Sequence, residues 1–142
     1  MEARYIVSCL CEQVKIKVSE VEPTLAHCHC SMCQKFHGAA FSTFVEVKNS
    51  NIEWLSGKEL LSEYVADNQT KRSFCSNCGS SLLFESKYNR QVNTIELSLA
   101  CFETVPEHIL PTDHIYVESK VGWIELNDGL PQYQLHRLSL ND

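Results

Sequence analysis

Cys75-Ser76-Asn77-Cys78-Gly79 reads as one half of a metal site, and Cys9-Leu10-Cys11 as the other half. A C-x-x-C turn brings two sulfurs to one point, and a glycine after the second cysteine supplies the permissive backbone such a knuckle needs. In C-x-C the two side chains of an extended strand share a face about 6.5–7 Å apart, and their sulfurs can converge on zinc at about 2.3 Å. Two plus two closes a tetrahedral set. Such a site is structural, and here it ties the N-terminal strand to the middle of the chain.

Working outward, Cys28-His29-Cys30-Ser31-Met32-Cys33 contributes three more of the eight cysteines, and Cys101 stands by itself. Cys28 and Cys30 are expected on one strand face, with Cys33 returning from the turn that follows. These three local ligands make a zinc site one donor short. His27 and His29 fall on the opposite face and are poor fourth ligands, whereas His37, Cys101, His108 and His114 are candidate donors. If one of them closes the set, both sites are structural and the chain is a non-catalytic, zinc-stabilised binding module. If none does, the open position binds and activates a ligand.

The bulk numbers support metal over disulfides. The chain begins without an apolar leader and holds no apolar run near membrane-span length, so a cytosolic location with reduced thiols is expected, and no membrane partner. Its 142 residues suit one domain over 1–142, and a hydrophobic fraction of 44% suits a packed core. The formal charge is −6, and two filled zinc sites would take it to about −9 with every liganding thiol ionised. That balance lacks the basic footprint of a nucleic-acid binder, so no nucleic-acid partner is expected.

Strand signals dominate between the clusters. Val14-Lys15-Ile16-Lys17-Val18 alternates apolar and basic residues, the period of a half-buried strand. Further strands are expected over 40–47, 59–65, 71–74, 81–85, 92–99, 114–118 and 122–126, with turns at 49–51, 56–57, 67–68 and 127–129. Ser31 is expected to cap one short helical turn that Gly38 stops. No long 3.6-residue period exists, which excludes a helical bundle and leaves a mainly β fold.

Taken together, the motifs resemble a known family. Cys28-His29-Cys30-Ser31-Met32-Cys33-Gln34-Lys35-Phe36-His37-Gly38, Phe74 to Gly79, Pro111-Thr112-Asp113-His114-Ile115, Trp123 and Asp128-Gly129-Leu130-Pro131 are similar to the glutathione-dependent formaldehyde-activating enzymes, which include the centromere protein V type of domain. The likeness spans about residues 5–134. It implies a mainly β, Mss4-like (β-tent) zinc-bound fold of small antiparallel sheets with few short helical turns. It assigns a structural zinc to Cys9, Cys11, Cys75 and Cys78, and a catalytic zinc to Cys28, Cys30 and Cys33. The implied activity is that of a carbon–sulfur lyase joining glutathione and formaldehyde as S-hydroxymethylglutathione.

The chemistry expected of the open site is thiol capture. Zinc deprotonates a coordinating thiol, and the thiolate of glutathione or another small thiol adds to an aldehyde carbonyl to give a hemithioacetal. Glutathione brings two carboxylates to an acidic protein, so local cations are needed; Lys35 and Arg72 are the candidates. His114 is the candidate for proton transfer or substrate contact. Trp54 and Trp123 read most simply as core or rim residues.

Overall fold

The computed structural model describes residues 5–23, 25–105 and 109–136. In chain order its strands and helices are β1 (Tyr5–Ser8), β2 (Lys15–Val18), β3 (Ala26–Cys28), α1 (Ser31–His37), β4 (Ser42–Lys48), β5 (Ile52–Ser56), β6 (Leu61–Val65), β7 (Lys71–Cys75), β8 (Ser81–Glu85), α2 (Lys87–Val92), β9 (Thr94–Ser98) and β10 (Asp113–Ile115). The protein is mainly β, with small sheets and short helices. Among the described residues no helix is long and apolar enough to cross a membrane.

The chain forms two compact units, one of Met1–Pro23 and Phe44–Ile109, the other of Thr24–Thr43 and Leu110–Asp142. In the first, β1, β2 and β5 make an antiparallel sheet, and the Phe44–Lys48 part of β4 pairs with β9, followed by β8, β7 and β6, all antiparallel. The alternation read in β2 is realised: Ile16 and Val18 are fully buried while Lys15 and Lys17 face outward. With Val7, Val14, Val45, Val47, Leu82 and Leu97 they form this unit's core. In the second unit, β3 pairs in parallel with β10 and antiparallel with the first two residues of β4.

Three local departures from the sequence reading have physical causes. Residues 87–92 are helical because Ser86 and Asn89 form a reciprocal capping box, and Asn93 ends α2 in the left-handed region at φ 60°. The strand expected over 114–118 stops at Ile115, since Tyr116 is left-handed at φ 58° and a 3-10 turn follows. No strand forms over 122–126. There the Lys120 ammonium donates to the carbonyls of Val121 (3.0 Å) and Ile124 (2.6 Å), taking the place of a ladder.

Gly57 sits where only glycine fits. Its φ is +78°, and a Cβ would lie 2.2 Å from the Gln13 carbonyl oxygen and 2.7 Å from the Val14 Cα. Both neighbours are backbone and cannot swing aside. Gly57→Ala is expected to cost roughly 2–4 kcal/mol, combining left-handed strain with overpacking. A urea titration that finds less than about 1 kcal/mol contradicts this placement of the turn.

Candidate metal centres

Cys9 and Cys11 do not lie on an extended strand. β1 ends at Ser8, and the pair occupies the loop that turns into β2, where the Cys9 N–H donates to the Val14 carbonyl (3.2 Å) and Glu12 takes a positive φ of 65°. Cys75 ends β7, and Cys78 sits on the turn that leads to β8. There the Cys75 N–H donates to the Ser80 carbonyl (3.0 Å), and the Gly79 N–H donates to the Cys75 carbonyl (2.7 Å). The Leu10 N–H donates to Ser80 Oγ at 2.9 Å and links the two knuckles. The four sulfurs lie within 4.8 Å of one another, all in the first unit.

The separations suit a tetrahedral ion. Sulfurs at the corners of a tetrahedron of Zn–S about 2.3 Å are about 3.8 Å apart. Cys9 and Cys11 Sγ are 3.5 Å apart, and Cys11 and Cys75 Sγ 3.8 Å. Backbone amides already face the sulfurs, as in Val14 N–H to Cys9 Sγ at 3.4 Å. The Ser80 hydroxyl pulls the Cys78 thiol down to about 5, and the Asn77 side chain lowers that of Cys11. Burial pushes Cys9 up to about 11. So mixed a set, with some thiolates favoured and one resisting charge, is what a divalent cation resolves by binding all four deprotonated.

Cys28, Cys30 and Cys33 also lie within 4.8 Å of one another, all in the second unit. Cys28 ends β3. Cys30, rather than the expected Ser31, is the N-cap of α1, and its sulfur accepts the Cys33 N–H at 3.3 Å. Cys33 is buried in the first turn of that helix, which Gly38 closes in the left-handed conformation. The Gln34 side chain donates to the carbonyls of His29 (2.7 Å) and Ser119 (2.8 Å), fixing the loop. Crowding by the Cys30 and Cys33 sulfurs drives the Cys28 thiol strongly upward. Three sulfurs packed this closely suit a cation, and a thiolate set suits zinc.

No histidine or carboxylate among the described residues joins either cysteine group. His37 packs edge-on against Phe36, with ring centroids 5.9 Å apart. Cys101 is a half-buried thiol, raised by desolvation, with its sulfur 3.7 Å from the Ser81 carbonyl. His108 lies outside the described residues. Lys35 is exposed on α1. Arg72 is buried on β7 in the first unit, its guanidinium 5.0 Å from the Phe84 ring. Trp123 is 73% exposed and so is not a core residue.

His114 is buried at 1% exposure and belongs to a cluster that the sequence reading did not assemble. Parallel pairing sets His114 beside His27, and the His29 N–H continues the ladder to the Ile115 carbonyl (3.0 Å). His114 Nδ1 is 2.8 Å from His29 Nε2, and its Nε2 is 2.8 Å from Asp128 Oδ2. His27 Nδ1 instead meets Thr43 Oγ1 at 2.7 Å. The segment carrying Asp128 is held against β10 by His114 N–H to the Pro131 carbonyl and Tyr133 N–H to the His114 carbonyl, both 2.9 Å. Hydrogen bonding from His114 lowers the Asp128 carboxyl, and burial pushes the His29 imidazole down to about 4.

Fold and sites together define a mainly β protein with a four-cysteine and a three-cysteine set, each close enough to hold a metal ion. The chain belongs to the glutathione-dependent formaldehyde-activating enzyme family, whose model matches residues 4–119. It is 31% identical over 80 residues to an uncharacterised lyase of Schizosaccharomyces pombe, a match covering 56% of each chain, so it spans just over half the length of that relative. It is also similar in fold to a Rhodobacter sphaeroides protein solved by crystallography, at TM-score 0.62 and 20% identity, over 90% of this chain and 98% of that one.

Proposed function

We propose that the protein is a zinc-dependent carbon–sulfur lyase that forms, and in reverse breaks, the adduct of glutathione with formaldehyde, S-hydroxymethylglutathione. The observation that carries this reading is the three-sulfur set of Cys28, Cys30 and Cys33, which no further donor completes among the described residues. Three protein donors are the count of a catalytic zinc, and four that of a structural one. Cys28, Cys30 and Cys33 would hold one ion, and Cys9, Cys11, Cys75 and Cys78 the other. Zinc bound at the three-cysteine set supplies a lowered thiol pKa, which makes thiolate available at neutral pH.

The remaining work falls to the chain. In the addition the thiol S–H crosses the carbonyl: a C–S bond forms, the C=O π bond becomes a hydroxyl, and the proton passes from sulfur to oxygen. The exposed ammonium of Lys35, two residues past Cys33, is the cation we assign to a glutathione carboxylate; Arg72, buried over Phe84, is the poorer placed of the two. His114 is assigned to orienting its neighbours near that proton. Reduced thiols at seven ligand positions suit a cytosolic protein. The whole chain is read as one zinc domain of the Mss4-like kind.

Exchange-resolved NMR of glutathione with formaldehyde tests this reading. The zinc-loaded protein is expected to raise the rate of adduct formation above the uncatalysed background, and Cys30→Ser to return it there. Lys35→Glu is expected to raise the glutathione concentration at half-maximal rate by about 2–5-fold, the scale of one exposed ion pair. A wild-type rate equal to background overturns the proposal.

A further inference from the structure

We propose that His27, His114 and Asp128 form a third metal site, two nitrogens and one oxygen for a divalent first-row transition ion, separate from both cysteine groups. The site is independent of whether the chain acts on glutathione.

The fold of the second unit builds it. Parallel pairing of β3 with β10 places His27 directly beside His114, with ring centroids 4.8 Å apart. Asp128 comes from the segment that β10 holds through Pro131 and Tyr133. One ring nitrogen of each histidine and one carboxylate oxygen lie within 4.8 Å of one another. His114 Nε2 and Asp128 Oδ2 are only 2.8 Å apart. Donors at about 2.0–2.2 Å from one ion are about 2.8–3.6 Å apart at octahedral or tetrahedral angles. That pair can share an ion as it stands, and His27 closes on it with a side-chain adjustment on the order of 1 Å.

The surroundings distinguish this cluster from a lone hydrogen bond. A ligating histidine engages its second ring nitrogen with an outer partner, which fixes the ring's orientation. Both histidines do so. His27 Nδ1 meets Thr43 Oγ1 at 2.7 Å, across β3 from β10, which leaves Nε2 as its donor to an ion. His114 Nδ1 meets His29 Nε2 at 2.8 Å. The carboxylate is held likewise: Oδ1 accepts the Leu130 N–H at 3.1 Å while Oδ2 turns to His114. Each of the three residues thus has one atom tied to the protein and one beside the other two.

Donor chemistry sets the ion and the strength of binding. Two imidazoles and one carboxylate suit zinc, cobalt(II) or iron(II), and leave open positions for water or a small ligand. The set carries one negative charge, against three or four for the thiolate groups, so it holds its ion more loosely. A desalted chain is therefore expected to keep its thiolate-bound ions and to take up the third reversibly. Asp128 has 45% of its side chain accessible and gives the ion a way in, while His114, at 1%, is a buried and preset donor.

Cobalt(II) titrated into the zinc-loaded, desalted protein tests the site. One further ion per chain is expected to bind without thiolate-to-cobalt absorption. It should move the imidazole proton resonances of His27 and His114 outside the diamagnetic range. Asp128→Asn keeps a hydrogen-bond acceptor for His114 and loses the carboxylate. It is expected to weaken cobalt binding by more than about 100-fold, the upper end of the loss for an outer-shell partner, with zinc content and far-UV circular dichroism unchanged. Three results overturn the proposal: no cobalt bound beyond the zinc, cobalt that shifts other imidazoles instead, or equal affinity in Asp128→Asn. Any of them leaves His27, His114 and Asp128 as a hydrogen-bonded structural cluster.

Discussion

Cys75→Ser is expected to leave the protein unfolded and free of metal at the four-cysteine set. Cys75 is fully buried at the end of β7, and its sulfur lies 3.8 Å from that of Cys11, 64 residues away in sequence. A structural zinc site contributes apparent binding free energies of about 10–16 kcal/mol in zinc-finger peptides. Whole domains are stable by only about 5–15 kcal/mol, so losing one of four thiolates at such a site removes most of the margin. Topology adds to the effect. On the chain-entropy relation for cross-links, closing a loop of this length is worth about 4 kcal/mol. Far-UV circular dichroism and metal content measured on the same sample check this. A variant with native spectrum and Tm would mean that the sheets do not depend on the site.

Cys33→Ser is expected to behave differently. The three-cysteine set spans a six-residue segment, where the same relation gives only about 2 kcal/mol. Cys33 supplies one sulfur and a backbone N–H to Cys30 Sγ; serine keeps the N–H and loses the sulfur. Metal content should fall from two ions to one, with the sheets of the first unit retained and any catalysed adduct formation abolished. Unfolding of Cys33→Ser on the scale of Cys75→Ser would instead mark the second site as structural and favour the binding-module reading.

The two cysteine groups were legible because cysteine spacing is a local property. C-x-C, C-x-C-x-x-C and C-x-x-C-G each bring sulfurs together with little help from distant residues. β2 was legible for a similar reason, since alternation and β-branched composition act within five residues. The backbone beneath Cys9 and Cys11 was not legible: C-x-C converges equally from a strand or from a hairpin loop, and the Glu12 turn decides between them. α2 escaped because six residues are too few for a period, and its capping box closes with asparagine in place of glutamate. Cys30 took the cap from Ser31 because its sulfur meets the Cys33 N–H at 3.3 Å.

The contacts of His114 were beyond local reading altogether. His29 and His114 are 85 residues apart, and nothing near Asp128 announces a partner in β10. Parallel pairing of β3 with β10, together with the bonds that hold Pro131 and Tyr133 to His114, brings the three together. The sequence signal, His114 within the Pro111 to Ile115 segment, named one member of the cluster without its neighbours.

The central claim is that the two cysteine sets differ, one closed and one open to a small thiol. Titrating glutathione into the cobalt-substituted protein tests it most directly. The account predicts stronger thiolate-to-cobalt absorption as a thiol joins the three-cysteine set, saturating at one glutathione per chain, while the four-cysteine spectrum stays fixed. It also predicts that a chelator strips the three-cysteine site first. An unchanged spectrum with both ions equally resistant to chelation would contradict the account.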